Sequence, residues 1–164
     1  MDFFVDSGIF IHLFDENDKS LDLYKHEQIK ILWDSLIQNG YDIYTSNFTI
    51  IETLNFIFNH FVFNEVYSYD KVRDFIEKYL NTITIIQFEN SIINEAFSLV
   101  SSYDFKMHEF SIVDGATLHF VRQQDIDFDK KYIVLTTDSK WERFYWYKGY
   151  TFKSPNIHPI DKIN

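Results

Sequence analysis

The chain has 164 residues, of which 46% are hydrophobic and 20% aromatic, and its formal net charge at pH 7 is −10. This composition suits a folded domain with a sizeable core, and the absence of cysteine excludes disulfide bonds and thiolate metal sites. The first residues do not fit a signal peptide, and no stretch approaches the roughly 20 apolar residues that span a bilayer, so we expect a soluble cytoplasmic protein without membrane association.

Short segments rich in β-branched and aromatic residues alternate with helical patterns along the chain. In chain order, we predict a strand over 3–5, a helix over 21–38, a strand over 42–45, helices over 48–63 and 69–80, a strand over 82–88, helices over 91–102 and 110–124, and strands over 132–136 and 150–152. A further short helix is expected after Asp138. This alternation predicts one domain over residues 1–164, built on a parallel sheet with helices on both faces.

Four acidic residues fall near the predicted carboxyl ends of strands, where parallel sheets bind ligands. Asp6 and Asp138 each follow a strand, whereas Glu52 and Asp114 lie early in helices. Taken singly, the first two are explained as helix N-caps and the other two as solvated helix positions. Together, the four acids would repel one another unless a cation or a proton compensates. Carboxylate oxygens are the ligands that Mg²⁺ and Mn²⁺ prefer, so the pattern favours a divalent metal site.

Each of these acids lies in a distinct motif. In chain order the motifs are "FVDSGIFI", "TSNFTIIETL", "FSIVDGATLHFV" and "VLTTDSKWERFYWYKGY". Together they resemble the PIN domain, a family of metal-dependent ribonucleases that includes the VapC toxins. The resemblance covers nearly the whole chain and implies a PIN-like three-layer α/β/α fold with a central, mostly parallel sheet of four or five strands. It also implies RNA cleavage that leaves a 5′-phosphate and a 3′-hydroxyl, with no side chain acting as nucleophile.

The resemblance assigns roles to the residues that match these motifs. It implies that Mg²⁺ or Mn²⁺ is bound by four catalytic residues, Asp6, Glu52, Asp114 and Asp138. The candidates for polar groups that support these acids are Ser7, Thr137 and Ser139, with Thr136 as a further hydroxyl beside the fourth acid. Each of these hydroxyl residues has the alternative role of capping a strand end or a helix. Many toxin-type members have Asn two residues after the first acid, where this chain has Gly8.

Positive charge is concentrated near the end of the chain. Residues 130–153 carry a net charge of +4, which leaves −14 for the remainder. We expect this segment to contact substrate phosphates through Lys140, Arg143 and Lys148. Its aromatic residues have two interpretations. Stacking on RNA bases would suit Trp141, Tyr145 and Tyr147, whereas packing against the sheet is favoured for Trp141 and Phe144.

The preferred biological interpretation is the toxin of a type II toxin–antitoxin pair, with an RNA substrate, an antitoxin partner and a homodimeric state. The apolar segment 56–63 is a candidate contact for a protein partner, with burial in the core as the simpler alternative. An RNA-processing factor and a catalytically silent scaffold are the alternatives. A HAD-like phosphohydrolase is disfavoured because it requires a second Asp where Gly8 stands. His119 is not expected in the site, since it lies five residues after Asp114 and off its helix face.

Overall fold

The computed structural model describes residues 2–15, 23–102, 110–138, 141 and 149–151. Its strands and α-helices, in chain order, are β1 (Asp2–Val5), α1 (Ser7–Phe14), α2 (Leu23–Gln38), β2 (Asp42–Ser46), α3 (Asn47–Ile57), α4 (Tyr69–Tyr79), β3 (Thr84–Ile86), α5 (Asn90–Ser101), α6 (Ile112–Phe128), β4 (Tyr132–Thr136) and β5 (Gly149–Thr151). A π-helical turn, Phe58–Val62, continues α3, and a 3₁₀ turn, Leu80–Thr82, follows α4. None of the described helices is long and apolar enough to cross a membrane.

The described strands form one parallel sheet in the order β3-β2-β1-β4-β5. At its centre, Phe3 of β1 lies beside Ile43 of β2 and Ile133 of β4. The pairing extends one residue past β1, where the N–H of Asp6 donates to the carbonyl of Leu135 at 3.0 Å. Because the strands are parallel, the carboxyl ends of β1, β2 and β4 lie side by side at one edge of the sheet, as predicted.

Hydrophobic cores lie on both faces of the sheet. Phe3 and Val5 belong to the core built with α1, α2, α3 and α4, whereas Phe4 faces the core built with α5 and α6. All three side chains are fully buried. β1 is apolar throughout because the central strand of a covered parallel sheet meets a core on each side. The predicted three-layer α/β/α architecture is therefore confirmed.

One described α-helix, α1, is not predicted from the sequence. Its eight residues, "SGIFIHLF", include five that are buried, so no polar face marks a helical period. The helix begins because Asp6 caps it: the backbone of Asp6 is extended, and its Oδ1 accepts from the N–H of Ser7 at 2.8 Å. The N-cap interpretation of Asp6 is therefore correct for the local backbone, whatever further role the carboxylate has.

Other element bounds differ from the predictions in smaller ways. The strand expected over 82–88 is limited to the three residues of β3, and α6 continues four residues beyond its expected end. Trp141 is fully buried, with its ring centroid 6.0 Å from that of Phe110, which confirms the packing interpretation for this residue. Most of the short helix expected after Asp138 lies outside the described residues, as do Phe144, Tyr145 and Tyr147.

Close packing of α5 on α6 depends on Gly115. A Cβ at this position would lie 2.7 Å from Cγ2 of Val100 and 2.9 Å from the backbone oxygen of Ala96. We therefore expect Gly115→Ala to lower the free energy of unfolding by about 1–3 kcal/mol, because the backbone oxygen cannot move without shifting a helix. Chemical denaturation of the two proteins measures this difference.

The sign of the effect is diagnostic, because Gly→Ala within an unconstrained helix raises stability by up to about 1 kcal/mol. Asn94→Ala, at an exposed position of α5, serves as a control and should leave stability unchanged or slightly raised. A Gly115→Ala protein that unfolds at or above the wild-type denaturant concentration would show that α5 and α6 are not packed this closely.

Candidate active site

Asp6 occupies the centre of the edge formed by the strand ends. Its Oδ1 accepts from the N–H of Ser7, and its Oδ2 accepts from the hydroxyl of Thr136 at 2.7 Å. The residue is only 6% exposed. The carboxylate is therefore held in one orientation by two hydrogen bonds and is largely removed from water.

Thr136 connects Asp6 to the fourth predicted acid. Its Oγ1 accepts from the N–H of Asp138 at 3.0 Å, so its own hydroxyl proton is the one donated to Asp6. Thr136 is the last residue of β4 and is fully buried. The sequence does not distinguish it from Thr137 or Ser139, because only the pairing of β1 with β4 places its hydroxyl beside Asp6.

Asp114 is fixed by the first turn of α6. Its Oδ2 accepts from the N–H of Ser111 at 2.9 Å, and its own N–H donates to Oγ of Ser111 at 3.1 Å. This reciprocal pair is a capping box, in which the carboxylate and the start of the helix hold each other in place. Asp114 is half-buried rather than solvated.

Glu52 lies in the second turn of α3. Ser46 is the N-cap of this helix, and its Oγ accepts a hydrogen bond from the N–H of Thr49 at 3.0 Å. Glu52 is half-buried. It lines a groove that also includes Val113, the residue before Asp114. The second and third predicted acids are thus presented by two helices that meet at this groove.

The four acids influence one another electrostatically. Burial, together with the negative charges of Asp114 and Glu52, raises the pKa of Asp6 from 3.8 to about 7. Burial also raises the pKa of Asp114 to about 6, against the hydrogen bonds from Ser111, and the charges of Glu52 and Asp138 add to this rise. The structure therefore brings Asp6, Glu52 and Asp138 each within electrostatic reach of Asp114.

The chemistry of these side chains fits a hard divalent cation, since all four offer carboxylate oxygens. Within the described residues, however, no three His, Asp or Glu side chains are arranged so that they could hold a metal ion as they stand. Both oxygens of Asp6 and one of Asp114 already accept hydrogen bonds. A carboxylate oxygen has a second lone pair available. Because no three of these described side chains are arranged to hold an ion, metal binding would require the carboxylates to move closer together.

The predicted supporting groups differ in what they contact. Ser7 contacts Asp6 through its backbone N–H. Thr137 lies against α1, since a Cβ at Gly8 would be only 2.1 Å from the Oγ1 of Thr137. The hydroxyl of Thr137 therefore lies where a side chain at position 8 would begin, which gives a steric reason for the glycine.

Ser139, Lys140, Arg143 and Lys148 lie outside the described residues, so their roles stay predictions. His119 is half-buried and lines a different pocket, of about 560 Å³, whose described lining includes none of the four acids.

The parallel sheet, covered by helices on both faces and with acids near its strand ends, defines the structural class of the protein. Comparison with known proteins identifies the fold more closely. No family model matches the sequence, and no curated protein sequence matches it significantly. The structure is similar to that of Mycobacterium tuberculosis VapC20, a sarcin-ricin loop cleaving toxin, with a TM-score of 0.56 and 18% sequence identity. The match covers 74% of this chain and 82% of VapC20. At this identity the likeness shows the fold alone, which is the PIN-like fold that the four motifs predicted.

We expect the metal-free protein to lose stability as the pH rises from about 4 to about 7. The folded protein holds the pKa of Asp6 at about 7 and that of Asp114 at about 6, against an ordinary value of 3.8. Within this window the unfolded chain has already released these protons, whereas the folded protein still retains them, so rising pH favours unfolding. Denaturation in EDTA at about pH 5 and about pH 8 would measure the decrease in the free energy of unfolding.

Asp6→Asn keeps a capping side chain but does not titrate, so the decrease between the two pH values should be smaller in this variant. Asp127→Asn is the control, because Asp127 is exposed and lies about 20 Å from Asp114 along α6. It should keep the wild-type pH dependence. An Asp6→Asn protein with that same dependence would contradict the raised pKa of Asp6.

Proposed function

We propose that this protein is a metal-dependent endoribonuclease that hydrolyses RNA phosphodiester bonds, with Mg²⁺ or Mn²⁺ bound by Asp6, Glu52, Asp114 and Asp138. The observation that carries the proposal is the electrostatic coupling of the four acids at the strand ends of a PIN-like sheet. The fold alone is compatible with many activities, so the activity depends on these side chains. The description of VapC20 as a toxin that cleaves the sarcin-ricin loop supports an RNA substrate.

The case for a cation rests on charge. With a pKa of about 7, Asp6 is only partly ionised near neutral pH, because burial and the neighbouring acids oppose its charge. A divalent cation would relieve this repulsion and favour the ionised form of every acid in the cluster. When bound at such a site, Mg²⁺ or Mn²⁺ lowers the pKa of water and stabilises negative charge on a phosphate.

The four acids contribute differently. Asp6 and Asp114 are oriented by their hydrogen bonds with Thr136 and Ser111, and the carboxylates would still have to move closer together to share one ion. Glu52 is half-buried at the wall of a groove, and its proposed role is to bind metal or to orient the attacking water. The proposed phosphate contacts are Lys140, Arg143 and Lys148.

Gly8 disfavours the alternative of a HAD-type phosphohydrolase. A phosphohydrolase of the HAD type needs an Asp at this position, yet the Cβ of any side chain there would lie 2.1 Å from Oγ1 of Thr137. This contact disfavours that mechanism. An RNA-processing nuclease would use the same four acids, so it differs from a toxin only in its RNA target and its protein partner.

We propose further that the nuclease is a toxin inhibited by an antitoxin. The π-helical turn after α3 bears an exposed aromatic group, in which the ring of Phe58 lies 5.9 Å from that of Phe63 and 5.8 Å from that of Tyr69. Phe63 and Tyr69 are both more than 60% exposed. Such a patch suits a protein partner, and an Arg of that partner would match the charge of the acids. Most of segment 56–63 is at least half-buried, so only part of it is available for this contact.

RNA cleavage should require added Mg²⁺ or Mn²⁺ and should disappear in excess EDTA. Asp6→Asn should lower kcat/KM by at least about 100-fold, because it removes one anionic ligand while keeping the cap. The same variant should melt at or above the wild-type temperature in EDTA and should gain less stability from Mg²⁺. Cleavage assays and paired thermal melts measure these effects.

Asp127→Asn is again the control and should cleave RNA and respond to Mg²⁺ as the wild type does. If purified wild-type protein cut RNA fully in excess EDTA, the metal mechanism would be wrong. If Asp6→Asn cut at the wild-type rate, Asp6 would have only its structural role as an N-cap.

An inhibitory protein should co-purify with the chain from its native host and should suppress RNA cleavage. Phe63→Asp should reduce this capture while leaving cleavage by the free protein intact, because the side chain is 65% exposed. Phe97→Asp is a matched control, since Phe97 is 62% exposed but lies on α5. Free, active protein with no bound inhibitor would count against the toxin proposal and leave the nuclease proposal standing.

A further inference from the structure

A groove of about 310 Å³ lies between α3 and α6, directly beside one of the four acids. Its described lining residues are Phe48, Ile51, Glu52, Asn55 and Val113. Ile51 is 56% exposed there. The exposed apolar side chain lies in a concave site beside a proposed active site, which is the usual form of a binding pocket.

Charge restricts what this groove can hold. Among the described residues that line it, Glu52 is the one charged side chain, and none is basic. A phosphate would be repelled by the carboxylate. An apolar protein side chain would cover the carboxylate without offering it a hydrogen bond, which is costly. A basic side chain would avoid both costs but would use only the carboxylate, whereas an uncharged ligand with flat apolar faces and N–H donors at its edge also uses the apolar walls.

We propose that the groove binds one unpaired base of the RNA substrate, adjacent to the phosphodiester bond that is cleaved. The inference rests on the proposed ribonuclease function. Glu52 is both a wall of the groove and one of the four acids, so a base bound here brings a neighbouring phosphate to the acids. The size agrees with a single heterocycle, because about 310 Å³ is at the small end of the roughly 300–1,000 Å³ range of ligand pockets.

The side chains of the groove suit a base in two further respects. The ring of Phe48 packs edge-to-face against Phe88, with centroids 5.7 Å apart and planes at 82°, so its orientation is fixed. The exposed amide of Asn55 offers donors and an acceptor to the polar edge of a base. A base must be unpaired to present both its face and its edge to a protein, which favours a single-stranded segment or a loop.

Abasic substitution tests the groove directly. The substrate is an RNA oligonucleotide cut at one bond, together with a set in which a single abasic residue occupies successive positions around that bond. For the wild type, we expect one position next to the cleaved bond at which base loss lowers kcat/KM by about 5- to 100-fold, the range typical of a stacked base. In Ile51→Ala and Asn55→Ala, base loss at that position should lower kcat/KM by a markedly smaller factor than in the wild type, since part of the contact is already gone.

Ile37→Ala is the matched control, because Ile37 is 46% exposed but belongs to α2, and it should keep the full wild-type penalty. Binding of the same labelled RNAs to Asp6→Asn gives a second readout. Loss of the base at the same position should raise Kd. If the wild type cleaves RNA but no abasic position matters, or the penalty is unchanged in both groove variants, the groove does not hold a base. If the wild type binds RNA with this position dependence but never cleaves it, the groove proposal stands and the ribonuclease proposal falls.

Discussion

Asp6 is a carboxylate at the end of the central strand, 6% exposed and under the negative charge of two further acids, so its burial costs free energy that the fold must offset. The same strand supplies much of that offset. Phe3, Phe4 and Val5 are fully buried in two cores, and each such side chain contributes about 1.5–3 kcal/mol. The apolar contacts of this central strand thus help to hold an acid at its end.

The hydrogen bonds around Asp6 orient the carboxylate but do not neutralise it. The N–H of Ser7 and the hydroxyl of Thr136 both favour the ionised form, yet the pKa is still raised to about 7. Burial and the charges of Asp114 and Glu52 therefore outweigh two good hydrogen bonds. This repulsion around a fixed carboxylate agrees with the cation proposed above, because stability alone would be better served by an uncharged side chain.

Strands and long helices with clear hydrophobic periods, such as β1, β4 and α2, could be predicted from the sequence because the pattern itself fixes which residues are buried. α1 could not, since it is short and apolar on nearly every side and begins only because Asp6 caps it. The four acids could be singled out because each lies just after a strand or within the first two turns of a helix. Thr136 could not be singled out, because its contact with Asp6 joins residues 130 positions apart and depends on strand register. The groove beside Glu52 could not be predicted either, because it forms only where α3 and α6 meet.

The side chains that positions 8 and 137 can carry depend on each other. With Oγ1 of Thr137 only 2.1 Å from the position of a Cβ on residue 8, the two positions share one volume. A larger residue at position 8 would require a smaller one at 137 or a shift of α1. A shift of α1 would also disturb the N–H of Ser7 and, through it, the orientation of Asp6. The hydroxyl of Thr137, one residue past the end of β4, therefore occupies the volume that a side chain at position 8 would need.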